Sequence, residues 1–190
     1  VLDRKRRRLE ALIQLRLGTD EETVRAVQTL ETLRQSAPAD RVTRSDLASG
    51  YSSKANSLTE SRDLAKAMEF RLKELALQKA TLAADPGNAT ATSNYALASK
   101  KMGGLLARMN RLQEAMDYYV TALHLEESLS AREPANADAK MALSFSHSDI
   151  GFLLRAQKRL PEALEHYRTA VRIREELAAI DPNNARATLS

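Results

Sequence analysis

Apolar positions recur along this chain at steps of three and four. Leu160, Ala163, Leu164, Tyr167, Ala170 and Val171 step this way and reach Arg174; Leu112, Ala115, Met116, Tyr119, Ala122 and Leu123 do so earlier. Such spacing lines one face of a 3.6-residue helix. The small residues Ala163 and Ala170 leave room for a second helix to approach, and Tyr167 fills the space between layers. Breaks in the pattern predict helices over 3–16, 20–36, 41–59, 62–83, 89–108, 111–131, 137–157 and 160–180. Thr19 with Glu22, and Asn110 with Gln113, read as N-caps with their reciprocal partners, and Pro161 suits a first helical turn. The expected fold is all-α.

The same pattern returns with a period of 48 residues. Pro38, Pro86, Pro134 and Pro182 stand 48 apart, inside Ala37-Pro38-Ala39-Asp40, Asp85-Pro86-Gly87-Asn88-Ala89, Glu133-Pro134-Ala135-Asn136-Ala137 and Asp181-Pro182-Asn183-Asn184-Ala185. Between them run the columns Leu58/Leu106/Leu154, Leu64/Leu112/Leu160, Ala67/Ala115/Ala163 and Ala55/Gly103/Gly151. Self-similarity at a fixed period is the mark of a stacked array. Each period reads as a helix A, a short break and a helix B closed by the Pro loop. The expected organisation is a degenerate hairpin at 1–40, repeats at 41–88, 89–136 and 137–184, and the start of another repeat at 185–190.

The stretch from Gly151 through Leu160-Pro161-Glu162-Ala163-Leu164-Glu165-His166-Tyr167-Arg168-Thr169-Ala170 resembles a tetratricopeptide repeat, as does Gly103 through Ala122. The likeness extends over nearly the whole chain, weakens in 41–85, where Arg71 and Glu74 replace the aromatic and small residues, and is faint before residue 37. It implies a right-handed α-solenoid of antiparallel hairpins, about eight helices in all. A period of 48 exceeds the family's usual ~34 residues, and the surplus falls on both sides of the proline, lengthening helix B and the next helix A by about two turns each. Long-period arrays of this kind resemble those that follow the kinase domain in some large bacterial Ser/Thr protein kinases, although no kinase motif occurs here. The chain starts without Met and stops at Ser190 just after a repeat loop, which reads as a piece of a longer protein.

Composition narrows the functional classes. Six Gly and five Pro are too few for the turns of an all-β sandwich or barrel. Zero Cys excludes disulfides, thiolate nucleophiles and Cys-ligated zinc, while leaving the compartment open. No apolar run approaches the ~18 residues that span a bilayer. The net charge of +4 is local: without the five cations of Arg4-Lys5-Arg6-Arg7-Arg8, 24 basic residues face 25 acidic ones. That segment reads either as a contact for phosphate or anionic lipid, or as a solvated helical turn. Nucleic acid is an alternative reading and not the expected partner, because the rest of the array is not basic and offers no aromatic interleaving.

No catalytic, metal or cofactor pattern appears. His124, His147 and His166 are too scattered for a metal motif, and His147 and His166 share columns with Tyr51 and Phe70, which points to packing. Ser144, Ser146 and Ser148 have no general base at a motif spacing, and Gly103-Gly104 lies in a helical pattern rather than a phosphate loop. The resemblance implies that helices A line a concave groove for a peptide or protein segment. Its groove positions select Asn56 in the first clear repeat, Leu97, Lys100, Lys101 and Arg108 in the next, and Phe145, Phe152 and Arg155 in the last. Asn56 and Lys101 match slots of the family's carboxylate clamp, but Ser52, Phe145 and Asp149 break that pattern. Phe145 and Phe152 lie two turns apart on one stripe, either as anchors for a ligand or as packing between helices A. The expected partner is a protein or peptide, with no cofactor. Self-association through the unpaired faces of terminal repeats is the structural alternative.

Overall fold

The computed structural model describes residues 2–180. The loop expected at Asp181–Ala185 and the start of a repeat expected at 185–190 lie outside these residues. Eight helices follow one another: α1 (Leu2–Leu17), α2 (Asp20–Ser36), α3 (Arg41–Glu60), α4 (Leu64–Ala84), α5 (Ala89–Arg108), α6 (Leu112–Arg132), α7 (Ala137–Ala156) and α8 (Leu160–Ile180). No strand occurs among the described residues. The helices fall into two compact units, Val1–Gly87 and Asn88–Ser190.

Punctuation fixes the helix ends. Helices α3, α5 and α7 each begin behind a polar N-cap that follows the Pro loop: Asp40 accepts from the Val42 and Thr43 amides, Asn88 from Ala91 and Asn136 from Ala139. Each such cap stabilises by about 1 kcal/mol. The A–B turns are three copies of one motif. In each, a left-handed residue follows the helix, Arg62 (φ 64°), Asn110 (φ 59°) and Lys158 (φ 62°). The next amide reaches back five residues, from Asp63 to the Leu58 carbonyl, Arg111 to Leu106 and Arg159 to Leu154, all 2.9 Å. This is the Schellman closure of a helix end. It corrects the expectation for Asn110, which is no N-cap: its short amide side chain tolerates the left-handed backbone. The N-cap of α6 is Arg111, which makes no capping bond and instead clasps Glu114 with two 2.6 Å hydrogen bonds. Thr19 does cap α2, accepting from the Glu22 amide.

In the first unit, α1 and α2 pack with α3 around Ala11, Ala26, Val27, Leu30, Leu33, Leu47, Ala48, Tyr51 and Leu77. Tyr51 donates to Glu31 at 2.6 Å, and burial together with that carboxylate pushes its phenol well above the usual range. Lys54, itself buried, pairs with Asp20. The α3/α4 hairpin closes over a buried ion pair. Arg71 donates to Glu74 at 2.6 Å, to the Ser52 hydroxyl at 3.1 Å and to the Asn56 amide oxygen.

The second unit closes its hairpins differently. In α5/α6 a Cβ on Gly103 would lie 3.0 Å from the Tyr119 ring, and in α7/α8 a Cβ on Gly151 would lie 2.9 Å from the Tyr167 ring. Missing side chains on α5 and α7 are what let these tyrosines lie flat against the backbone. Ala55 and Arg71 occupy the same two slots in α3/α4, where the alanine Cβ leaves no room for a ring and a flexible guanidinium fits.

Two substitutions of opposite sign test this account by chemical denaturation. Gly103→Ala is expected to destabilise by about 1–3 kcal/mol through overpacking. Lys158→Gly is expected to stabilise by about 0.5–1 kcal/mol, by relieving the left-handed backbone.

Candidate functional site

Helix α7 is held on two sides, and those anchors decide which face it presents. Ser146 donates to Glu126 of α6 at 2.5 Å. On the α8 side, Gly151 receives Tyr167, His147 meets His166, and Ser144 and Ser148 accept from Arg174 at 3.1 and 3.0 Å. The remaining face carries Phe145 and Phe152. They are 50% and 54% exposed, so the rings sit at the surface and not within the core.

Each ring lies under a guanidinium. Arg155 stands 5.3 Å from the Phe152 centroid and Arg174 stands 5.2 Å from that of Phe145. Cation–π contacts of this kind are worth about 0.5–1 kcal/mol where exposed. Arg174 also bonds two serines, so its fork is fixed. Leu97 of α5 occupies the slot that Phe145 fills in α7 and is likewise half exposed. Arg108 is exposed as the last residue of α5, and Lys101 is half buried on the same helix.

Lys100 is committed internally. Its ammonium lies 2.7 Å from Glu126 and 3.4 Å from the Ala142 carbonyl. Burial pushes the Glu126 carboxyl above the usual range, while Lys100 and the Ser146 hydroxyl pull it back. Asp149 is raised as well, by burial, with Lys100 opposing. Lys100 therefore neutralises an acidic pocket and does not offer a surface cation. Asn56, in the first unit, is exposed but spends its amide oxygen on Arg71. Of the sequence-selected residues, the structure thus brings Phe152 and Arg155 together, and it surrounds Phe145 with a residue the groove pattern did not select, Arg174. The signal for Arg174 was its charge in an otherwise apolar helical column.

The histidine columns also meet. His147 Nδ1 and His166 Nδ1 are 3.0 Å apart, with ring centroids 5.2 Å apart and tilted by 41°. In the first unit the corresponding slots hold Tyr51 and Phe70, 6.0 Å apart. Burial lowers both imidazoles; Arg172 lowers His147 further, and Glu127 and Glu162 oppose this from either side.

The basic segment near the start of α1 is exposed or half-buried, and three of its arginines are paired with carboxylates. Arg4 pairs with Asp40 at 2.7 Å, Arg8 with Asp46, and Arg6 with Asp3 at 2.9 Å. No helix is long and apolar enough to cross a membrane among the described residues.

The sign of the pH dependence follows from the histidines. Their folded values lie below the unfolded ~6.5, so as pH falls through about 6.5 the unfolded chain takes up protons that the folded chain resists. Stability should fall between about pH 7.5 and about pH 5.5, and His147→Tyr/His166→Phe should show a smaller fall in paired denaturant titrations. The difference between the two proteins isolates the imidazoles from the raised Glu126 and Asp149, whose contribution has the opposite sign.

Comparison with known proteins adds the following. Residues 148–182, from within α7 through α8, match the family profile described as tetratricopeptide repeat. No curated protein matches the chain. Among solved structures it is similar to the apo form of RapI, with a TM-score of 0.62 and 13% identity. That match covers 91% of this chain and 56% of RapI, so the chain spans little more than half of that protein's length. It also aligns with MamA from Desulfovibrio magneticus RS-1 at 18% identity and a TM-score of 0.40, covering 91% of this chain and 96% of that one. A TPR repeats protein from Bacteroides fragilis NCTC 9343 aligns at 16% identity and a TM-score of 0.34, over 100% and 96% of the two chains.

Proposed function

We propose that this chain, which is a tetratricopeptide-repeat protein, is a non-catalytic scaffold that binds a peptide or protein segment along the exposed face of α5 and α7, as the interaction arm of a longer signalling protein. The observation that carries the reading is the pair Phe145 and Phe152, half exposed two turns apart, each with a guanidinium over its ring. Aromatic anchors supply binding energy when a partner removes them from water, and fixed cations beside them orient that partner. A segment with apolar side chains and a nearby carboxylate would complement this face. Leu97, Lys101 and Arg108 extend it along α5.

The alternative of nucleic-acid or anionic-surface binding through Arg4–Arg8 is weakened by the carboxylates that already hold Arg4, Arg6 and Arg8. Self-assembly has one observation in its favour. The column Leu75/Leu123/Val171 is buried at its first two members, whereas Val171 on α8 is 51% exposed, beside exposed Leu160 and Leu164.

The test is affinity capture from source lysate in the presence of nuclease, comparing wild type with Phe145→Ala/Phe152→Ala. Because both rings are at the surface, the double variant should keep wild-type helicity and lose no more than about 1–2 kcal/mol of stability. A protein retained by wild type and lost from the variant supports the reading. Equal capture by both moves the site elsewhere. Absence of capture, together with a mass in light scattering that grows with concentration, favours self-assembly.

A further inference from the structure

We propose that Asp149 gives the Phe face its specificity: it takes the charged head of a lysine or arginine carried by the bound segment, beside the apolar side chains that cover Phe145 and Phe152. The inference rests on the reading of that face given above and names one feature of its partner. It starts from register. Asp149 stands four residues after Phe145 and three before Phe152, so it lies between two residues about 10 Å apart along the helix axis. Around the axis the charges are sorted by side. Arg174 reaches Ser144 and Ser148 from α8, and Arg155, two turns after Ser148, shares that flank. Asp149 is on the other flank, where it feels Lys100 of α5 and Glu126 and Tyr119 of α6.

The carboxylate lacks a partner. Asp149 is half-buried, and it accepts no hydrogen bond and forms no ion pair among the described residues. Lys100, the cation that faces it, spends its ammonium on Glu126 at 2.7 Å, so one cation serves two carboxylates. Burial raises the Asp149 carboxyl above the usual range, with Lys100 pulling it back and Glu126 pushing it further. A half-buried carboxylate without a donor carries a desolvation cost that an incoming cation offsets.

Space is left for such a head. Gly104 of α5 holds the slot that Phe152 fills in α7 and Asn56 in α3, and a Cβ there would stand 3.6 Å from the Tyr119 hydroxyl. Burial, with the Asp149 charge adding to it, pushes the Tyr119 phenol up to about 12, so it stays a neutral hydrogen-bonding group beside this space. A neutral donor from the partner would satisfy the Asp149 oxygens but leave the excess of negative charge; a cation answers both. Lysine and arginine also bring an aliphatic stem, so one residue can pack along the rings and pair with Asp149.

The experiment is selection of a phage-displayed library of random peptides on wild type, Asp149→Asn and Phe145→Ala/Phe152→Ala. Selected peptides are then synthesised for affinity measurements, with the basic residue also replaced by norleucine, which keeps a stem and removes the charge. The wild-type pool should be enriched in lysine or arginine next to apolar residues, and the Asp149→Asn pool should lose the basic enrichment alone. A wild-type peptide should bind Asp149→Asn about tenfold more weakly; its norleucine form should lose the same factor on wild type and nothing further on the variant. Asp149→Asn should keep the wild-type Tm or exceed it, since no internal partner is lost. A clear drop in Tm overturns the proposal by revealing such a partner. A pool that depends on Phe145 and Phe152 but is indifferent to Asp149 overturns this inference alone. Failure to select any peptide, or a pool that binds the double Phe variant equally well, overturns the reading of the face and this inference with it.

Discussion

The distance between the two helices of a hairpin at their crossing sets the terms for everything else in this molecule. At Gly103 and Gly151 the backbone of helix A comes so near the tyrosine of helix B that a methyl group would press into the ring. A hairpin closed this tightly fixes the rotation of both helices about their axes. That rotation decides which residues turn inward and which remain for a partner. Phe145 and Phe152 are at the surface because Gly151, Ser144, Ser146 and His147 occupy the sides of α7 that its neighbours cover. Site and fold are therefore set by one constraint.

The α3/α4 hairpin meets the same constraint with different chemistry. Arg71 and Glu74 bring full charges into a space that a ring and a methyl group fill elsewhere, and Ser52 and Asn56 complete the hydrogen bonding of the guanidinium. A buried pair of this kind adds little net stability over an apolar alternative, but losing one partner leaves an uncompensated charge. The same logic applies to Lys100, Glu126 and Ser146. In both units, polar residues that looked available along the sequence turn out to be spent between helices.

This explains how far the sequence could be read. Spacing along a helix, the Pro loops and the 48-residue columns carry the fold, and the eight helices begin and end within two residues of where periodicity puts them. Asn110 was misread because Asn followed by Gln113 has the appearance of a cap. Its column partners Arg62 and Lys158 are poor caps, and all three share a left-handed backbone. Lys100 reads as a groove cation because its partner Glu126 lies across a helix interface, which no spacing along one helix records. The meeting of His147 and His166 is equally lateral. The hint lay in the aromatic residues Tyr51 and Phe70 that hold the same columns.

The chain's only three phenylalanines allow the central claim to be tested within one molecule. Phe70 packs beside the core of the first unit, whereas Phe145 and Phe152 form the exposed stripe of α7. The measurement is fluorine NMR of the protein labelled with fluorophenylalanine, assigned with single Phe→Leu variants and titrated with the protein that wild type retains from lysate. The account predicts that the Phe145 and Phe152 resonances move together and saturate together while that of Phe70 stays in place. Movement of Phe70 alone, or of none of the three at saturation, would contradict it.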